Sequence, residues 1–347
     1  MRVGTAKQSY ADDEGIFEGR REYIALVLFL LALAVVPFVT SGYWIYMVCL
    51  VAINVISATG LNILTGFTGL VSLGQAAFMA LGAYTVAWLE IHTGVPFGLN
   101  LIAGGLVAAA FGLVVGLPSL RVKGLYLAIA TIGAWVLVTF ALNNGGAFTG
   151  GASGLSMPPA DFFGILLDEP RELYWLILPV AVLAVFAANN LFRTRIGRAF
   201  IAIRDRDISA EVLGIRLLRY KLISFALSSF YAGLAGGLWA YFFRVVTPES
   251  FPLLMSIFFL AAIIVGGMGS ILGSILGAVF MTMTPEVLKM GVNALSPFLE
   301  NAVELLSPVR TIVFGGLIVF FLLYEPLGLA EIWRRIRRAA ELWPFRT

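Results

Sequence analysis

Long apolar runs separated by short polar punctuation dominate this chain. A bilayer-spanning helix needs about 20 residues with few or no charges, so charge-free intervals mark candidate spans. Between Glu22 and Glu90 there is no Asp, Glu, Lys or Arg, a length sufficient for three helices, with breaks expected at Pro37, Ser41 and Gly42 and again at Thr65, Gly66 and Gly69. Single spans follow in the intervals His92 to Leu120, Gly124 to Ala160, Leu173 to Phe192 and Leu222 to Phe243. Ser250 to Pro285 is interrupted by Gly266, Gly267 and Gly269 and reads as two helices joined by a tight turn. Thr311 to Tyr324 is short for about 30 Å of hydrocarbon at about 1.5 Å per residue, which requires Arg310 to snorkel toward the surface. The pattern predicts an all-α integral membrane protein, a polytopic bundle of about ten transmembrane helices.

Composition agrees: 60% of the 347 residues are hydrophobic and 12% charged, against roughly 25% charged in an average soluble domain. The charges also orient the chain, because cytoplasmic loops carry the excess of Lys and Arg. With the N-terminus inside, all of the 23 Lys and Arg residues fall on the cytoplasmic side except Arg171, Arg244, Lys289 and Arg310. An even span count returns the basic tail (Arg334, Arg335, Arg337, Arg338) to that side as well. The division expected is a cytoplasmic N-terminal tail over 1–22, a membrane domain over 23–325 and a cytoplasmic basic tail over 326–347. Asp12, Asp13 and Glu14 precede the first apolar run without a small-residue cleavage pattern, so that run is expected to stay attached. The single cysteine, Cys49, excludes an intrachain disulfide and reads as a packing residue.

Two hydrophilic excursions leave the membrane domain: an external, glycine-rich loop over 143–172 and a cytoplasmic, predominantly basic loop over 193–221. Gly66, Gly69 and Gly74 resemble Gly266, Gly269 and Gly273, each set opening an apolar helix. Ten spans divided five and five would make the halves inverted repeats, an arrangement in which glycine-interrupted segments flank a transport pathway. Close packing through small residues explains the same glycines.

Catalytic chemistry is missing from the pattern. There is no G-x-x-x-x-G-K-[ST] phosphate loop, no G-x-S-x-G elbow and no H-E-x-x-H, and the one histidine, His92, cannot form a metal site by itself. The span interiors carry no ionisable residue of the kind that marks proton or ion coupling. The reading is a transporter without enzymatic activity or cofactor, whose energy enters from another polypeptide; a stand-alone secondary transporter or channel for a small polar solute is the alternative. Asn54, Asn62, Gln75 and Thr131 place uncharged polar groups at membrane depth, where each needs a partner or water. Asn62, Gly66, Gly69, Gln75 and Thr131 are pathway candidates, and helix-to-helix hydrogen bonding accounts for the polar ones equally well.

In the cytoplasmic loop, Ile201, Ile208, Val212 and Ile215 recur at near-helical spacing, with Gly197 ahead and Gly214 placed to end a short helix. One or two short amphipathic helices under the membrane are expected, their polar face showing Arg204, Asp205, Asp207 and Glu211.

The runs GLNILTGFTGLVSLGQAAFMALGAY (60–84), GLYLAIATIGAWVLV (124–138), TGGASGL (149–155), RTRIGRAFIAIRDRDISAEVLGI (193–215) and VGGMGSILGSILGAVF (265–280), in that order, resemble the LivM family of branched-chain amino acid ABC importer permeases. The resemblance implies that Asp207 to Gly214 is the short helix that docks into a cleft of the ATPase, with Ser209, Ala210 and Glu211 where the wider motif reads Glu-Ala-Ala, and that Arg204, Asp205, Asp207, Glu211 and Gly214 serve this coupling. It implies as partners a LivH-like second permease, two cytoplasmic ABC ATPases, a periplasmic solute-binding protein and the lipid bilayer, with no nucleic acid, in a bacterial inner membrane with both termini cytoplasmic. Thr149, Gly150, Gly151 and Gly154 become candidates for the external gate or the contact with the binding protein. Branched-chain amino acids are the leading solute, with urea, short amides and other small carboxylates moved by relatives of the same scaffold.

Overall fold

The computed structural model describes residues 20–119, 124–162, 165–295, 312–313, 315–321, 323–325 and 327–342. The tail before residue 20, Arg310, and part of the final apolar interval lie outside the described residues. The principal helices are α1 (Arg20–Val39), α2 (Gly42–Asn62, continued by a π-helical turn Ile63–Phe67), α3 (Gln75–Thr93), α4 (Phe97–Ser119), α5 (Leu125–Asn144), α6 (Pro170–Arg193), α7 (Arg195–Asp205), α8 (Asp207–Val212), α9 (Leu217–Phe243), α10 (Leu253–Gly266), α11 (Ile271–Leu295) and α12 (Gly328–Leu342).

Seven of the described helical segments are long and apolar enough to cross a membrane: α2 with its π turn, α4, α5, α6, α9, α10 with the turn before it, and α11. α3 is 19 residues long but more polar, carrying Gln75, Glu90 and His92, and α1 contributes a shorter apolar stretch, Ile24–Val39. The all-α membrane bundle is therefore established.

α2 and α9 form its centre, with 83% and 61% of their apolar windows buried against 28% for α6. α9 packs along α4, α3 and α2, while α2 also meets α6, α10 and α11. Lipid tails give two apolar helices no hydrophobic reason to associate, so contact must come from close van der Waals approach. Small residues supply it: a Cβ on Gly82 would overlap the Gly233 backbone, and one on Gly236 the Met79 backbone. Leu106, Val114, Leu137, Phe140 and Leu183 point outward and are exposed, an apolar exterior suited to a hydrocarbon solvent.

The described ends are distinct. One, the basic end, carries α7 and α8. At the other, two small antiparallel ladders form: β1 (Leu155–Ser156) with β4 (Val245–Val246), and β2 (Ala160–Phe162) with β3 (Ile165–Leu167). The two glycine runs whose likeness suggested inverted halves pack against each other at the basic end.

Candidate functional site

α2 does not end cleanly. Its last turn widens into a π turn, and residues 68–74 then run without helical structure before α3 begins at Gln75. Non-helical backbone inside a membrane bundle must be satisfied by protein or water, and here protein groups supply several of the bonds. Leu70 N donates to Leu64 O at 3.1 Å, Thr65 Oγ1 to Leu70 O at 3.1 Å and Thr68 Oγ1 to Ile63 O at 3.0 Å. Leu73 N donates to Thr131 Oγ1 at 2.9 Å, and Ala76 N, in the first turn of α3, to Ser256 Oγ on α10 at 2.9 Å.

Asn62 joins this break to the turn between α10 and α11. Its Oδ1 accepts from Gly269 N at 2.9 Å, and its Nδ2 donates to Ser270 O at 2.8 Å and Ser274 Oγ at 2.7 Å. The approach requires glycine at Gly66, because a Cβ there would overlap Asn62 Oδ1 and Gly269 N.

The basic loop folds into two helices, as its apolar spacing predicts. Thr194 caps α7, its Oγ1 accepting from Ile196 N at 3.2 Å, and Gly197 sits inside that helix rather than ahead of it. α7 buries Gly197, Ala199, Phe200 and Ile203 against the bundle. α8 ends in a Schellman arrangement, with Gly214 at φ +85°, Gly214 N donating to Glu211 O at 2.9 Å and Ile215 N to Ala210 O at 3.0 Å. Ala210 faces inward, whereas Ile208, Val212 and Leu213 are 72%, 84% and 80% exposed beside exposed Ser209 and Glu211. Arg204 turns back into the bundle: its Nη1 donates to Gly66 O at 3.1 Å, while Nε pairs with Asp205 Oδ1 at 3.1 Å.

At the opposite end, the glycine-rich loop is an ordered cap. Thr149 is buried and donates to Leu142 O at 2.7 Å; Gly150, Gly151 and Gly154 all have positive φ, and a Cβ on Gly154 would overlap Val246 O. Arg244, at φ 60°, ion-pairs with Asp168 and donates through Nη2 to Asp168 O at 2.8 Å and Leu167 O at 3.2 Å.

The family described as branched-chain amino acid transport system, permease component, matches residues 43–322, which include the helix break, both glycine runs and the α7–α8 loop. This chain belongs to that family. Among its relatives, the high-affinity branched-chain amino acid transport system permease protein LivM of Escherichia coli (strain K12) is 35% identical over 335 residues, covering 88% of this chain and 75% of LivM. LivM of Salmonella typhimurium matches with the same identity and coverage. LivH of Escherichia coli (strain K12) is 25% identical over 293 residues, covering 78% of this chain and 89% of LivH. No solved structure matches the chain.

Within this family member, the sequence-predicted residues fall into three groups. Asn62, Gly66, Gly69 and Arg204 come together at the basic end; Asp205, Asp207, Glu211 and Gly214 lie on the loop beside them; Thr149, Gly150, Gly151 and Gly154 are at the far end. The uncharged polar residues expected at membrane depth, Asn54 beside the pathway candidates Asn62, Gln75 and Thr131, each make bonds within the bundle. Asn54 Nδ2 donates to Thr282 Oγ1 at 3.0 Å, Gln75 Nε2 to Ser57 O at 2.9 Å, and Thr131 Oγ1 to Ala128 O at 2.8 Å. Gln75 Oε1 is buried with no donor among the described residues.

Sequence reasoning passed over two features. Glu90, taken only as a charge closing an interval, accepts from Asn100 Nδ2 and Tyr241 Oη, both at 2.6 Å, and so ties α3 to α4 and α9. The exposed Ile208 and Val212 were visible only as helical periodicity, which does not say which way a stripe faces, and exposed Leu213 lay outside that spacing. Among the described residues, no group of three His, Cys, Asp or Glu is placed to hold a metal ion.

Proposed function

We propose that this chain is the permease subunit of an ATP-binding-cassette importer for branched-chain amino acids or related small solutes, energised by separate ATPase subunits. The observation that carries the reading is the α7–α8 loop. α7 is anchored through Phe200 and Ile203, while α8 presents Ile208, Val212 and Leu213 to the outside at the basic end. Exposed aliphatic side chains flanked by Asp207 and Glu211, on a short helix fixed at both ends, suit docking into a cleft of a soluble subunit. The basic end is cytoplasmic on the positive-inside rule. The ordered cap of Thr149, Gly150, Gly151 and Gly154 is then external, where a solute-binding protein would deliver cargo, and a LivH-like second permease completes the pore in the inner membrane.

Ten spans in two inverted halves fit the neighbour pattern. α3 packs on α4 as α10 packs on α11, and α4 packs on α9 as α11 packs on α2, with α2 and α9 meeting across the centre. Exchange of the halves leaves these contacts unchanged.

The test is leucine uptake in cells whose copy of this chain is deleted. Wild-type chain should restore ATP-dependent uptake of labelled leucine, and Ile208→Asp with Val212→Asp should not, despite normal amounts of the variant in the membrane. Normal uptake by that double variant would sink ATPase coupling through α8, and uptake driven by an ion gradient without ATP would support a secondary transporter.

A further inference from the structure

Arg204 keeps 37% of its side chain exposed and pairs with Asp205, yet it also reaches into the bundle. Its Nη1 donates to the carbonyl of Gly66 in the π turn of α2. The same nitrogen would lie 2.6 Å from a Cβ on Gly269, and Arg204 Cγ and Cβ would lie 3.3 Å and 3.6 Å from one on Gly69. The side chain therefore occupies the notch where the two glycine runs meet. A π turn misaligns carbonyls from their ordinary helical donors, and Arg204 supplies a charged donor to one of them. From Gly66 the connection continues through Asn62 to Gly269 N, Ser270 O and Ser274 Oγ. Phe67 and Phe192 stack beside it at 3.4 Å between ring centroids, fixing the end of α6 to the same turn.

We propose that Arg204 is a positioning residue that transmits movement of the α7–α8 loop to the α2 break and the α10–α11 turn together, and that it is not itself a contact with the ATPase. This rests on the importer reading above. Arg204 is bonded to one transmembrane element, at Gly66 O, and lies against a second, at Gly269. A push on α8 then reaches the α2 break and the α10–α11 turn as a displacement of packed backbone, the type of small shift that bistable interfaces amplify. Without the guanidinium the loop would still dock, but its motion would dissipate in the gap left in the notch.

The experiment uses the complete complex, purified through a tag on this chain and reconstituted with ATP and labelled leucine. Arg204→Ala should keep the ATPases in wild-type amount and keep ATP hydrolysis, while leucine uptake falls about tenfold, a coupling loss within the usual allosteric range. A second variant covers misfolding: Arg204→Lys, which keeps a charged donor on a long stem for the Gly66 carbonyl, should recover most of the uptake that Arg204→Ala loses. Loss of the ATPases from Arg204→Ala, normal uptake by it, or an Arg204→Lys variant as defective as Arg204→Ala would overturn the proposal. A wild-type chain that purifies without ATPases would instead remove the importer reading on which it rests.

Discussion

Asn62→Ala tests the polar junction quantitatively. Asn62 is 1% exposed and makes three bonds to the α10–α11 turn and the start of α11. Side-chain hydrogen bonds in membrane proteins average about 0.6 kcal/mol, with a maximum near 1.7, so losing three costs about 2–5 kcal/mol. Asn54→Ala is the internal control. It removes the same side-chain volume from the same helix at a position 5% exposed, but breaks one bond, to Thr282, and should cost about 0.6–1.7 kcal/mol. Both are read by titrating the purified chain from mild detergent into SDS and following tryptophan fluorescence. If Asn62→Ala came within about 0.5 kcal/mol of Asn54→Ala, the usual additivity error, the bonds at Gly269, Ser270 and Ser274 would not stabilise the fold as argued.

Gly66→Ala should lose more than about 2 kcal/mol in the same titration because its Cβ meets Asn62 and Gly269, whereas Gly133→Ala on α5, with open space around it, should be neutral or gain up to about 1 kcal/mol. Gly214→Ala has room for its methyl but a φ of +85°, so a penalty of about 1–2 kcal/mol confined to α8 is expected, seen as faster amide exchange over 208–212 with α9 unchanged. Asp168→Asn should cost no more than about 1 kcal/mol, since its side chain is 68% exposed and the two carbonyls that Arg244 also holds remain; thermal unfolding at two salt concentrations checks it.

Much of this architecture is written in the spacing of charges, because a bilayer penalises each charge and so forces it toward a span end. The intervals ending at Leu120 and Phe243 anticipate α4 and α9 closely, and the turn at Gly266 to Gly269 separates α10 from α11 as expected. Gly214 ends α8 because positive φ is a local property that residue type alone foretells. Three-dimensional pairing is a different matter. Asn62 reads in isolation either as a pathway group or as a helix-to-helix bond, and only folding shows that its partners lie some two hundred residues away. Glu90 looked like a boundary because the spacing argument treats every charge alike, although Asn100 and Tyr241 hold it in a network. Arg204 was grouped with the outward polar face because helical spacing does not reveal a carbonyl freed by a π turn in another helix. That the two glycine runs touch was likewise invisible until the helices were folded together.

The most direct test of the account is gentle affinity purification of the tagged chain from its native membranes, with co-purifying proteins identified by mass spectrometry. The account predicts recovery of ABC ATPases and a second permease, with the ATPases lost when Ile208 and Val212 are changed to aspartate. A chain that comes out alone, folded, and able to move leucine into liposomes along an ion gradient would contradict it.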